Sequence, residues 1–127
     1  MTRIGAAGFA AIAVGAVLGA WLRFVLGATL NRGFDGLPLG TLAANLLGGL
    51  LAGAAVAWLA RHPELSPLWR LFVITGFLGA LTTFSTFSAE SLELIQRGDL
   101  GWALLHSSVH LFGSLAAAAL GFRIVAS

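Results

Sequence analysis

Cysteine is absent from this chain, and ionisable residues are scarce. Without cysteine no disulfide braces the fold, and the redox compartment leaves no mark on the sequence. Charged residues fill 9% of the 127 positions, where a soluble domain carries about 25%. That scarcity excludes an ordinary water-soluble domain. Seven arginines against five acids give a net charge of only +2, scattered along the chain, so the pI of 11.2 marks no nucleic-acid surface. No nucleotide-binding motif occurs and no relay of acidic residues crosses the apolar stretches, which argues against a pump and against an enzyme. Nothing in the chain implies a protein partner other than itself.

What is present is apolar sequence in long runs. Hydrophobic residues make up 58% and the mean hydropathy is +0.94. Residues 4–22, 36–60, 71–89 and 100–122 contain no Asp, Glu, Lys or Arg, and each approaches or exceeds the ~20 residues that cross a hydrocarbon core. They predict one domain over 1–127, an all-α protein of four transmembrane helices at about 4–26, 39–60, 68–96 and 100–123. Trp21, Trp58, Trp69 and Trp102 stand near the ends of these runs, at the depth indole prefers. The first run follows Arg3 as a signal peptide's core would, but it is long for one and its glycines lead into an arginine, so it reads as a retained span. The connections are short: 27–38, broken by Asn31, Arg32, Gly33, Asp35, Gly36 and Pro38; 61–67, with Pro63 and Pro67; and the turn Arg97, Gly98, Asp99. Such loops hold no active site, so function must reside in the helices.

Within the third run, GFLGALTTFSTFSAE (76–90) places Thr82, Thr83, Ser85, Thr86 and Ser88 around Phe84 and Phe87. Hydroxyl side chains offer a helix backbone competing hydrogen bonds. Non-helical backbone at membrane depth is tolerated only where protein buries it or it lines a cavity. The cluster therefore reads as the lining of a pore or binding site. In the second run Asn45 shares a helix face with Thr41 and Gly49, either as interhelical glue or as an amide donor to a ligand. In the fourth, His106, His110 and Ser114 step by four along one stripe beside Ser107 and Ser108. A hydrogen-bonding track fits these residues better than a zinc site, which would need further ligands from a span that has no carboxylate or Cys. Gly15 with Gly19, and Gly49 with Gly53, have the spacing that lets helices approach closely, within one chain or between two.

Three of these segments, GAVLGAWLRF (15–24), GTLAANLLGG (40–49) and TTFSTF (82–87), stand in the order and at the chain length of the Fluc (CrcB-type) fluoride channels, which the sequence closely resembles. The resemblance implies a broken third helix and an antiparallel, dual-topology homodimer in a bacterial inner membrane. It implies two fluoride pores lined by Phe84, Phe87, Asn45, Thr41, Ser85, Thr86, His106, His110 and Ser114. It also implies a central structural Na⁺ held by the backbone carbonyls of Gly79 and Thr82, with Arg23 and Glu90 in aqueous vestibules. His106 departs from the family pattern, in which a tyrosine often stands at that position, and it introduces a group that titrates near neutral pH.

The residues make that expectation physically sensible. An aromatic ring is positive at its edge, so two rings flanked by hydroxyls can hold a small anion weakly enough for it to leave. Carbonyls freed where a helix breaks at 79–82 are hard oxygen ligands suited to a hard cation. The arginines divide almost evenly between the two sides: Arg3, Arg61, Arg70 and Arg123 against Arg23, Arg32 and Arg97. The positive-inside rule then gives insertion little direction. Two other readings are a small proton-coupled multidrug exporter, which needs a carboxylate deep in a span, and a non-transporting membrane assembly factor, which leaves 82–87 unexplained.

Overall fold

The computed structural model describes residues 4–31 and 37–127; Arg3, Arg32, Gly33, Asp35 and Gly36, named above for topology and turn chemistry, lie outside the described residues. Among the described residues every regular element is helical. α1 spans Ala6–Leu30 and α2 spans Leu39–Arg61. Gly27 does not end α1, which runs one further turn, and the Asn31 side chain then accepts a hydrogen bond from Gly40 N at 2.6 Å. The third crossing, Pro67–Gln96, is built in pieces. It begins with α3 (Pro67–Arg70), where Ser66 caps a first turn that opens on proline. The π-helical turns Leu71–Leu78 follow, then α4 (Gly79–Leu81) and α5 (Phe84–Gln96). α6 spans Leu100–Ala126 after a tight turn in which Gly98 takes φ 80°, a value a residue with a Cβ rarely adopts. Among the described residues, four helices are long and apolar enough to cross a membrane.

Two helix pairs make up the chain, and glycine sets how close each pair comes. α1 lies against the π-helical turns and α4, and α2 lies against α6. A Cβ at Gly15 or Gly19 would collide with the carbonyls of Phe72 or Phe77, and one at Gly76 would stand 2.6 Å from Ile12 O. On the other pair, a Cβ at Gly53 would strike Ala118 O, one at Gly121 would strike Leu50 O, and one at Gly49 would come within 2.8 Å of Ser114 O. Both small-residue faces found in the sequence are thus consumed inside one chain, where van der Waals contact between backbones replaces the hydrophobic drive that lipid does not supply. Ala44, Leu78 and Leu81 are buried where the pairs meet, with Leu22 and Leu26 against them.

Candidate functional site

The site is built around the junction of α4 and α5. Thr82 (φ −80°, ψ 154°) and Thr83 (φ −149°, ψ 117°) are extended between two helical segments. The sequence supplies a reason: each threonine can bond backbone groups that a helix would otherwise use. Thr82 Oγ1 donates to Leu78 O at 2.8 Å, and Thr83 Oγ1 accepts from Thr86 N at 3.0 Å as the N-cap of α5. Backbone hydrogen bonding follows the helix as far as Thr82 N, which donates to Leu78 O at 3.0 Å. It departs at Thr83, whose N–H donates to Asn45 Oδ1 at 2.8 Å.

Asn45 holds this junction from both sides. Its Nδ2 donates to Thr83 O at 3.1 Å and also meets His110 Nδ1 at 2.9 Å. One amide from α2 therefore links the extended Thr83 to α6. Arg23, from α1, donates from Nε to Ala80 O at 3.0 Å. A Cβ at Gly48 would run into Thr82 Cγ2, so the absence of a side chain there gives the threonine its place.

Beside this junction runs an open groove of about 690 Å³. Asn45, Gly79, Thr82, Phe84, Phe87, His110 and Ser114, all singled out in the sequence, lie along it. The ring centroids of Phe84 and Phe87 are 5.5 Å apart. Phe87 is also 4.9 Å from His110 and 5.3 Å, edge to face, from His106. Phe84 is 80% exposed within one chain.

Other candidates sit elsewhere. Thr41, Glu90 and His106 form a second, closed cluster behind Phe87. His106 is fully buried, its Nε2 stands 3.6 Å from Glu90 Oε2, and neither group has a hydrogen-bond partner among the described residues; the buried Thr41 side chain lies beside the carboxylate. Ser85 and Thr86 belong to the first turn of α5, Ser85 Oγ lying 3.3 Å from Thr83 Oγ1, and neither lines the groove. His106 and His110 have ring centroids 4.4 Å apart, and no group of three His, Cys, Asp or Glu among the described residues is arranged to hold a metal ion.

Two lining residues that carry chemistry, Thr83 and Ser107, stand in the hydroxyl cluster and beside the histidine stripe of the sequence but are not among the pore residues that the resemblance implies. Thr83 was visible as one of five hydroxyls; its position three residues before a backbone N–H in need of a cap was the available signal. Ser107 lay beside the stripe at His106 and His110, and only the direction from which the groove approaches α6 brings it in. The pairing of Glu90 with His106 across α5 and α6 had no signal in either helix alone.

Known proteins match this chain over nearly its whole length. The family described as CrcB-like protein, Camphor Resistance (CrcB), matches residues 10–122, which include every groove-lining residue. A protein of Aromatoleum aromaticum named fluoride-specific ion channel FluC is 59% identical over 114 residues, 90% of this chain and 87% of its own. One of the same name from Cupriavidus pinatubonensis is 56% identical over 126 residues, 97% of this chain and 100% of its own. Another, from Pseudomonas syringae pv. maculicola, is 59% identical over 110 residues, 87% of each chain.

Proposed function

We propose, from the premise that this chain belongs to the CrcB-like family, that it is a fluoride-selective channel exporting cytoplasmic fluoride passively and so reducing its toxicity. The family is one of ion channels and not of enzymes. The observation that carries the reading is the groove: two phenyl rings, an amide-linked imidazole and hydroxyls converge in it without a lysine or arginine along its walls. Ring edges and neutral N–H or O–H donors replace part of a small anion's hydration shell. A full positive charge would hold the ion too long for conduction. No energy source is required, because a negative-inside potential favours anion exit by about 2.3 kcal/mol per charge per 100 mV.

The working unit in this reading is an antiparallel, dual-topology homodimer with two pores in a bacterial inner membrane. A groove open along one side and a Phe84 that is 80% exposed suit a wall supplied by a second copy. A structural Na⁺ on the dimer axis fits the junction's backbone. The Thr83 N–H that a continuing helix would give to Gly79 O goes to Asn45, and the Thr86 N–H that would reach Thr82 O goes to Thr83 Oγ1. Both carbonyls thereby lack their helical donors, and two copies would offer four hard oxygens to a monovalent cation. Such an ion would offset repulsion between the carbonyl dipoles and stiffen the junction, apart from the path of the anion.

Purified protein in liposomes tests this reading. Under a membrane potential the expected result is fluoride efflux, no proton-driven uptake of organic cations, and a slower flux when a large organic cation replaces Na⁺. Organic-cation exchange without fluoride flux would establish the exporter reading instead, and flux indifferent to Na⁺ would remove the structural ion.

A further inference from the structure

The hydrogen bonds around Asn45 fix the tautomer and the charge of His110. Thr83 N can only donate, so the Asn45 atom facing it at 2.8 Å is the carbonyl oxygen, and the amide's orientation is settled by that contact. Its nitrogen then faces Thr83 O at 3.1 Å and His110 Nδ1 at 2.9 Å. An amide nitrogen has two protons and no acceptor capacity, so both N–H groups are spent and His110 Nδ1 must accept one of them through an unprotonated lone pair. An imidazolium carries a proton on both nitrogens and is excluded by the same contact. His110 is therefore neutral in this arrangement, with its single proton on Nε2.

We infer that the Nε2–H of His110, set in this tautomer by Asn45, is a direct hydrogen-bond donor to the anion in the groove, and that Asn45 acts as a positioning residue for it. The inference rests on the fluoride-channel reading and assigns the donor within it. His110 lines the groove, and Phe87 flanks its ring at 4.9 Å. Nε2 has no hydrogen-bond partner among the described residues, and His110, 5% exposed, keeps an edge on the groove where the fully buried His106 keeps none. The Ser114 hydroxyl, one turn further along α6, lines the same wall and would follow as the next donor. A neutral N–H suits the task because it replaces a water molecule's donation without the grip of a fixed charge.

The test uses full-length protein carrying ¹⁵N-histidine in lipid nanodiscs, with the His110 signals assigned by their loss in His110→Asn. The expected spectrum shows the proton on Nε2, and adding sodium fluoride, but not sodium chloride, shifts that N–H. In liposomes His110→Asn, which keeps an acceptor near the Nδ1 position but has no donor near Nε2, should lose at least about tenfold in fluoride flux. His110→Gln, which can place an amide N–H near Nε2, should retain several-fold more flux than His110→Asn. A proton on Nδ1, an Nε2–H indifferent to fluoride, or wild-type flux in His110→Asn would overturn the assignment while the wild-type protein still conducts fluoride. Wild-type liposomes that pass no fluoride would instead bring down the channel reading, and this assignment with it.

Discussion

Phe84 and Phe87 are three residues apart on one helix but have very different neighbours. Phe87 is enclosed by His106, His110 and Phe84, whereas Phe84 projects from the protomer with 80% of its surface free. If both ring edges contact the anion, replacing either by isoleucine keeps apolar bulk but removes an aromatic edge worth about 1 kcal/mol. We predict that Phe84→Ile and Phe87→Ile keep the wild-type elution volume in size-exclusion chromatography while fluoride flux falls roughly fivefold; unchanged flux in both would remove the rings from the pathway. His106 gives a second prediction. It faces Glu90 on α5 and His110 on its own helix, with Thr41 of α2 beside the carboxylate. Protonating it would set a positive charge 3.6 Å from the Glu90 carboxylate, offsetting the negative field that repels an anion nearby. Fluoride conduction should therefore rise once the pH falls far enough to protonate His106. His106→Tyr should flatten the profile, and identical profiles in the two proteins would return His106 to packing.

The third crossing shows, at the scale of an element, what a sequence discloses and what it withholds. Its apolar length, its hydroxyl cluster and the importance of Asn45 are legible, because hydropathy and a lone polar residue in a span are local signals. The exact place where backbone pairing departs from the helix is not. The sequence points to 79–82, yet the extended residues are Thr82 and Thr83, because the decisive partner, Asn45, is 38 positions away. The π-helical turns Leu71–Leu78 are equally hidden, since an uninterrupted apolar run has the same hydropathy whichever backbone pairing winds it. Glycine spacing was legible as close packing but silent on the partner, and the structure assigns both faces to contacts inside one chain. Hence a third prediction: Gly76→Val, whose Cβ would meet Ile12 O at 2.6 Å and press on α1, should destabilise the protomer by about 1–3 kcal/mol. Gly101→Ala, with nothing within 4 Å of the new Cβ, is the matched control and should be close to neutral. Thermal or denaturant midpoints in detergent would decide, and equal midpoints would mean that the α1 contact is not tight.

At the scale of the whole molecule, the chain has used its small-residue faces internally and has left the groove beside the α4–α5 junction open. An open groove with an exposed phenylalanine at membrane depth cannot by itself enclose a path for a charged ion, since lipid would form the missing wall. A second copy would close it, and the charge distribution bears on how that copy is oriented. Arg61, Arg70 and Arg123 lie at one end of the bundle, Arg23 and Arg97 towards the other. Arg61 is committed to capping α6, its guanidinium donating to the carbonyls of Val125 and Ala126. An arginine bias this slight gives the translocation machinery little reason to prefer one orientation. Chains inserted both ways are what an antiparallel pair requires, and two-fold pairing would bring each copy of Gly79 and Thr82 towards its symmetry mate. The absence of cysteine makes the consequence measurable without a background signal. Ile4→Cys and Ser127→Cys, at exposed positions near the two ends of the chain, should each react with a membrane-impermeant thiol reagent in about half of the molecules in intact cells, and fully once the membrane is opened. Complete labelling of either position from one side would establish a single orientation, and the antiparallel dimer, with the shared cation site that depends on it, would have to be abandoned.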